Sequence, residues 1–301
     1  MKKQVYGEEA GVLKLGVGRK IFLCFNAVLL LFIAAVTLYP FLYVAAVSLS
    51  DESYIVQGKI GIIPQGINLE AYKRVFQYPM LGQSYINTIV YTLLGTLINI
   101  ILTVCGAFPL SRKRFYGRGF FTALIVFTML FNGGLIPTFL VVKQMNMVDS
   151  IWAMLIPGAV GTWELLVMRS FFAQIPYEIE EAALIDGSNE FQTLVRIILP
   201  LSTAAIATII LFYAVSHWND FFTAMIYLRS SEKYPLQIFL RNIVIQNETA
   251  DMMRDVIEDR NIIGESIKHA TIMVATVPIL FVYPFIQKYF VTGVMIGSLK
   301  G

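Results

Sequence analysis

Charged residues are scarce in this chain of 301 residues. Asp, Glu, Lys and Arg make up 14% of it, whereas a soluble domain carries about 25%. Hydrophobic residues reach 57%. The formal net charge of +3 is too small to indicate a nucleic-acid partner. Together these values predict a membrane protein that binds no nucleic acid.

Cysteine and histidine are nearly absent as well, with two of each. Cys24 and Cys105 both lie inside apolar runs, which predicts buried free thiols and no disulfide framework. His217 and His269 are too far apart in the sequence to suggest a ligand cluster. We therefore predict no metal site.

The sequence also lacks two motifs of enzymes. It has no GxxxxGK[ST] phosphate loop, so any ATP that drives this protein must be bound by another chain. It has no HExxH metalloprotease motif either. An intramembrane enzyme would need a catalytic constellation at membrane depth, and Asp220 is an isolated acid in the late apolar runs. A chain with no catalytic residues of its own is the favoured interpretation.

Six apolar runs dominate the rest of the chain. Each is at least as long as the roughly 20 residues that cross a bilayer as a helix. The predicted fold is an all-α membrane protein with six transmembrane helices, over about 21–50, 84–110, 120–142, 151–172, 201–228 and 269–291. An even number of spans places residues 1–20 and the tail 293–301 on the same side.

Basic residues predict which side that is. Five of them lie in residues 1–20, and Arg112, Lys113, Arg114 and Arg118 fill the short linker after the second run. Lys and Arg in short loops mark the cytoplasmic side. Both termini and the loop 173–200 are thus predicted to be cytoplasmic. The loop 229–268 mixes basic with acidic residues and is placed outside.

The loop 173–200 reads as two short helices joined by a turn. Pro176 suits a helix start, and acidic residues at 178, 180 and 181 suit the first turn. Gly187 suits the helix end, and Asn189 with Gln192 predicts a capping box for the second helix. An apolar stripe follows, which we expect to pack beneath the spans before Pro200 ends the helix: Phe191, Leu194, Val195 and Ile198.

This loop carries a family pattern at matching spacing: Glu181-Ala182-Ala183, Gly187, Ile197 and Leu199-Pro200. The pattern resembles the EAA–G–I-x-LP signature of bacterial ABC importer permeases. The resemblance implies a type I ABC importer transmembrane fold, with a cytoplasmic coupling loop between helices 4 and 5 that docks on an ATPase. The implied ATPase-coupling residues are Glu181, Ala182, Ala183, Asp186, Gly187, Ile197, Leu199 and Pro200.

Polar residues inside spans usually face a bundle interior or a wet cavity. In span three, Asn132 stands beside Gly133, Gly134 and Pro137, which predicts an interrupted helix near mid-membrane. The break either lines the substrate path or is only a kink that neighbouring helices satisfy. Asn99 in span two is of the type that bonds helix to helix.

Span five carries a polar and aromatic cluster that is also a candidate for the substrate path. Aromatic faces can stack on sugar rings, and Asn and Asp can bond to hydroxyls. The alternative is an interfacial aromatic belt with a polar helix end. The cluster comprises Tyr213, His217, Trp218, Asn219 and Asp220.

Taken as a whole, the chain resembles the maltose-type (MalG-like) permeases of carbohydrate ABC importers, in the branch called LplC/YtcP. The branch is indicated by the segments 132–137 and 234–237 and by Trp218-Asn219-Asp220. The resemblance implies alternating-access import of an oligosaccharide across the bacterial plasma membrane. The implied partners are a second, homologous permease, two ATPase subunits that bind ATP and Mg, and an extracellular solute-binding lipoprotein. No cofactor is implied for this chain. Membrane lipid is expected to surround its spans. Peptides, amino acids and polyamines remain open as other cargoes.

Overall fold

The computed structural model describes residues 16–252, 265–281 and 284, and within them every regular element is a helix. The predicted all-α class is confirmed for this part of the chain. Residues 1–15, the tail 293–301 and the last part of the predicted sixth span lie outside the described residues.

The first half of the chain forms seven helices. They are α1 (Val17–Ser48), α2 (Glu52–Val56), α3 (Glu70–Gln77), α4 (Pro79–Ser111), α5 (Arg118–Leu130), α6 (Leu135–Gln144) and α7 (Ile151–Leu155).

The second half forms eight more helices, one π-helical segment and one 3₁₀ turn. The helices are α8 (Thr162–Gln174), α9 (Tyr177–Ile185), α10 (Glu190–Thr193), α11 (Leu199–Leu201), α12 (Thr203–Trp218), α13 (Phe222–Tyr227), α14 (Leu236–Met252) and α15 (265–281). A π-helical segment, Leu194–Ile198, joins α10 to α11, and a 3₁₀ turn, Ser231–Lys233, precedes α14.

Two described helices, α1 and α4, are long and apolar enough to cross a membrane unaided. The number rises to four if each of two bent pairs counts as one span. The first pair is α5 with α6, bent by 113°, and the second is the stretch Glu190–Leu201 with α12, bent by 84°. The first pair coincides with predicted span three, and the second joins the end of the predicted loop 173–200 to predicted span five.

The predicted break in span three is present between α5 and α6. Gly134 has a φ of +88°, a conformation open to glycine, and its N–H donates to Oδ1 of Asn132 over 2.9 Å. Asn132 thus satisfies the break locally, and its side chain is exposed. Both interpretations of the break, a kink or a part of the substrate path, stay predictions.

Span four and span five are also interrupted, which the sequence did not lead us to expect. Residues 156–161 separate α7 from α8, and Asn219 to Phe221 separate α12 from α13. The predicted polar loop 229–268 contains α14. The length of the apolar runs alone did not reveal these breaks. The first contains Pro157, Gly158 and Gly161, which disfavour a helix, and the second contains the polar pair Asn219-Asp220.

Helix α4 is the axis on which the described residues pack. Near its start, Leu81 packs with Val75 of α3 and Leu236 of α14. Farther along, Tyr91 packs with α7 and α13. Toward its end lies a third cluster: Val104, Ala107, Phe108, Met168, Phe172, Leu194, Ile198, Ile209 and Tyr213. One rigid helix therefore joins both ends of the bundle.

Helix α1 is apolar and exposed along most of its length within this chain. A surface of that kind needs lipid or another membrane helix to cover it. Cys24 on α1 and Cys105 on α4 are exposed, so the prediction of buried thiols was wrong. An apolar run has a lipid-facing side as well as a packed one, and sequence alone did not tell them apart.

Asp149 holds the loop that follows α13 in place through several hydrogen bonds. This loop lies near the start of α4. Its carboxylate accepts bonds from the N–H groups of Arg229 and Ser230, the Ser230 hydroxyl and the Lys233 ammonium. The hydroxyl bond of Ser230, with the backbone and lysine donors, holds the pKa of Asp149 well below its usual range.

We expect Asp149→Asn to lower the melting temperature of the detergent-purified protein at pH 7. The amide cannot accept all these bonds, although Asn tolerates the positive φ of 58° at this position. A depressed pKa contributes stability above the ordinary carboxyl value and loses it as the pH falls. The gap between wild type and variant should persist at pH 5 and narrow only below about pH 4. Equal melting temperatures at pH 7 would contradict this role.

Candidate coupling hairpin and polar cavity

The hairpin of α9 and α10 has the turn chemistry that the sequence predicts. Gly187 adopts a φ of +84°, and its N–H donates to the carbonyl of Leu184 over 3.0 Å. Asn189 Oδ1 accepts the N–H of Gln192 over 2.8 Å, and Gln192 Oε1 accepts the N–H of Asn189 over 3.1 Å. The predicted helix stop and capping box are both confirmed.

The tip of this hairpin, residues 185–191, is exposed and partly apolar. Ile185 is 80% exposed and Phe191 is 71% exposed. Asp186 and Gly187 lie between them, also exposed. A rigid turn that presents two large apolar side chains is suited to docking on another protein.

The structure divides the eight predicted coupling residues into two groups. Five are exposed on the hairpin or at its end: Glu181, Ala182, Asp186, Gly187 and Pro200. Ala183 is buried, and Ile197 and Leu199 are half-buried. The later part of the signature therefore lies where the hairpin joins the bundle.

The predicted apolar stripe packs only in part. Leu194 and Ile198 are buried against Met168 and Phe172, but Phe191 and Val195 are exposed. The chain is π-helical from Leu194 to Ile198, so a spacing of 3.6 residues no longer describes which side chains share a face.

The helical stretch Glu190–Leu201 ends one residue after Pro200, and the chain bends there by 84° before α12. The predicted helix end at Pro200 is therefore confirmed to within one residue.

Two residues at the joint of the hairpin were not recognised as functional from the sequence. Nη2 of Arg112, just after α4, lies 2.5 Å from Oε1 of Glu180 in α9. The Arg112 side chain is 7% exposed and that of Glu180 is fully buried. Burial raises the pKa of Glu180 and lowers the pKa of Arg112, while their mutual attraction opposes both changes. No local pattern joins residues 68 positions apart.

A cavity of about 370 Å³ lies beside the middle of α4, where α7 and α8 are separated. Asn99, Glu164, Tyr213, His217 and Asp220 contribute its polar lining. Leu135, Met154 and Tyr227 are among its other walls. Its position among broken helices is typical of transporter substrate sites.

Asn99 and Tyr213 form hydrogen bonds with backbone groups in the break between α7 and α8. Asn99 Nδ2 donates to the Gly158 carbonyl over 3.0 Å, and its Oδ1 lies 3.1 Å from Nε2 of His217. The Tyr213 hydroxyl accepts the Gly161 N–H over 3.0 Å and pairs with the Thr103 hydroxyl over 2.7 Å. The prediction that Asn99 bonds helix to helix is confirmed. This polar network fixes the cavity wall.

The cavity brings together three of the six predicted substrate-path residues: Tyr213, His217 and Asp220. Trp218 packs instead against the cluster at the start of α4. Asn219 bonds to the Val215 carbonyl and to Gln237. Asn132 caps its own break, as described above. The sequence grouped neighbours along the chain, whereas the cavity is lined by residues from several elements, among them α4, α8 and α12.

Glu164 was missed, although it lies inside the predicted fourth span. A charged residue at membrane depth is itself a signal of function. Its carboxylate lies so close to Gly161 that a Cβ on this glycine would approach Oε2 to 1.9 Å. The glycine therefore makes room for the carboxylate at the cavity.

The comparisons with known proteins agree on one family. Residues 80–296 match the binding-protein-dependent transport system inner membrane component. The chain is 42% identical to Protein LplC of Bacillus subtilis (strain 168) over 284 residues, which cover 94% of this chain and 96% of LplC.

It is 43% identical over 277 residues to the polygalacturonan/rhamnogalacturonan transport system permease protein YtcP of the same organism, covering 90% of this chain and 96% of YtcP. A chain in the crystal structure of a bacterial ABC transporter involved in the import of the acidic polysaccharide alginate superposes with a TM-score of 0.83. It is 37% identical, and the match covers 92% of this chain and 99% of that one.

Proposed function

This chain belongs to the family of binding-protein-dependent transport system inner membrane components, and we propose that it uses the α9–α10 hairpin to couple a partner's ATP hydrolysis to oligosaccharide import. The family resemblance drawn from the EAA signature is confirmed. As a permease subunit, the chain is not itself an ATPase, and hydrolysis belongs to partner subunits.

The observation that carries the coupling role is the exposed apolar tip of a hairpin whose base is buried. Ile185 and Phe191 face away from the chain, while Leu194 and Ile198 anchor the base in the cluster at the end of α4. A movement of the tip would therefore be transmitted to α4, α8 and α12. The coupling residues proposed from the signature are those of the hairpin and its joint.

The proposed topology has six spans in a domain over 21–292, with 1–20, 173–200 and 293–301 in the cytoplasm. The basic linker supports this orientation, because Arg112 and Arg114 contact the hairpin that would face the ATPase. Helices α5–α6, α7–α8 and α12–α13 would serve as broken spans. The membrane is the bacterial inner membrane.

The proposed assembly contains a second permease, two ATPase subunits with ATP and Mg, and an extracellular solute-binding lipoprotein. The exposed apolar surface of α1 supports a membrane partner beside this chain. No cofactor site is proposed on this chain itself.

The cargo is proposed to be an oligosaccharide that passes the cavity beside Asn99, with Tyr213, His217 and Asp220 on this subunit's side. YtcP is named as a polygalacturonan/rhamnogalacturonan transport permease, and the structurally similar transporter is involved in the import of the acidic polysaccharide alginate. Both similarities support an oligosaccharide cargo.

The test is uptake into proteoliposomes that contain the purified full assembly. We expect ATP-dependent accumulation of radiolabelled oligosaccharide when the binding protein and ATP are present, and none with a non-hydrolysable ATP analogue. Radiolabelled peptides, amino acids and polyamines should not accumulate. If one of these solutes accumulates and no oligosaccharide does, the proposed cargo is wrong.

A further inference from the structure

Helix α9 has a small inward face. Its nine residues include two buried ones, Glu180 and Ala183. Helices this short are marginal without tertiary contacts. Its two buried side chains are thus a methyl group and a carboxylate.

The second helix of the hairpin is held differently. Leu194 and Ile198 are buried among Met168, Phe172 and Phe108. These contacts are apolar and non-directional. Apolar packing therefore anchors the α10 side, whereas the α9 side depends on how Glu180 is received.

Arg112 receives it where α4 and α8 end and α9 begins. Its Nη2 pairs with Glu180 of α9, and its Nη1 donates to the carbonyl of Phe172 near the end of α8 over 3.2 Å. The guanidinium carbon lies 4.8 Å from the centre of the Phe108 ring of α4. One planar cation thus fixes α4, α8 and α9 relative to one another.

We propose that Arg112 and Glu180 are a positioning pair that makes α9 move as one body with the ends of α4 and α8. This inference rests on the proposed coupling function and names the residues that transmit it. A buried ion pair adds little net stability compared with apolar residues of similar volume, but it specifies one geometry. A fixed geometry is what a force-transmitting joint requires.

Helix α4 carries the displacement onward to the cavity. Asn99 precedes Arg112 by 13 residues, or about 20 Å along a helix. Asn99 contacts both Gly158 at the α7–α8 break and His217 of α12. A shift at Arg112 therefore reaches the cavity wall through one rigid element.

The neighbouring ion pair cannot substitute for this one. Arg114 pairs with Glu190 of α10, but both side chains are substantially exposed. Exposed pairs are screened by water and salt and fix geometry weakly. The ion pair of Arg112 with Glu180 is buried, so water screens it far less.

The experiment compares Glu180→Gln with Glu70→Gln in the full assembly. Glu180→Gln removes the charge and keeps the shape, and Glu70 belongs to an exposed i,i+4 pair with Arg74 far from the hairpin. We expect Glu180→Gln to retain the ATPase subunits but to lower the sugar imported per ATP hydrolysed about tenfold or more, because Arg112 is left as an unpaired buried charge and no longer orients α9. Glu70→Gln should match wild type. A ratio for Glu180→Gln within twofold of wild type would overturn the inference.

A second variant guards against failure to fold. The double change Arg112→Met with Glu180→Met keeps volume and leaves no unpaired charge, so it should fold. We expect it to assemble and still couple poorly, because packing alone does not fix the direction of α9. Wild-type coupling in this double variant would overturn the inference.

A measurement that leaves the pair intact completes the test. Spin labels at the exposed positions Glu178 and Lys113, in a chain with Cys24 and Cys105 replaced by serine, report the separation of α9 from the end of α4. We expect the same distance distribution with and without ATP. A change with ATP would contradict rigid motion. Absence of ATP-driven uptake in wild type would instead count against the proposed function.

Discussion

Gly187→Val abolishes most ATP-driven uptake if the hairpin tip is the docking element. The glycine has a φ of +84°, which costs a β-branched residue roughly 1–2 kcal/mol or more. Valine should shift the turn and move Ile185 and Phe191 from their positions. Such a cost lowers the ratio of native to altered turn by about 5- to 30-fold. We therefore expect uptake and ATPase retention to fall together by at least about tenfold.

Gly58→Val is the matched control for this change. Gly58 has a φ of +63°, and a Cβ there meets open space, as it does at Gly187. It lies in the loop after α2, away from the hairpin. We expect this variant to keep its ATPase subunits and its uptake. Equal losses in both variants, or no loss at Gly187, would show that the tip has no special role.

Gly95→Ala is expected to impair uptake without loss of the ATPase. A Cβ at Gly95 would lie 2.4 Å from Nε2 of His217, so the ring must leave its place against α4. Asn99 would lose its contact with His217, and an unpaired buried polar group costs about 1–3 kcal/mol. The wall of the cavity should change shape, and we expect uptake to fall about tenfold.

Gly82→Ala is the control on the same helix, because a Cβ at Gly82 meets nothing within 4 Å. It should leave uptake unchanged. Co-purification of the ATPase separates the two sites: Gly95→Ala should retain it and Gly187→Val should lose it. Full uptake by Gly95→Ala would contradict the role of the His217 contact.

Local chemistry explains what the sequence could predict. The Gly187 turn, the capping box of Asn189 and Gln192 and the break at Asn132 each depend on residues within a few positions of one another. The length of the apolar runs likewise predicts α1 and α4. The EAA spacing identifies the family because it is itself a local pattern.

Long-range geometry explains what the sequence could not predict. Arg112 and Glu180 meet because the end of α4 lies beside the end of α8, and α9 begins directly after α8. The side chain of Asn99 bonds to the carbonyl of Gly158, which is 59 residues away in the sequence. The π-helical segment shifts Val195 outward, which an average helical spacing cannot anticipate.

The most direct test of the central claim is the side of the membrane on which the hairpin tip lies, and what covers it. Ile185→Cys, in a chain with Cys24 and Cys105 replaced by serine, can be treated with a membrane-impermeant maleimide. We predict no labelling in intact cells, labelling in inside-out vesicles stripped of the ATPase, and protection when the ATPase is restored. Labelling from outside intact cells would contradict the coupling account.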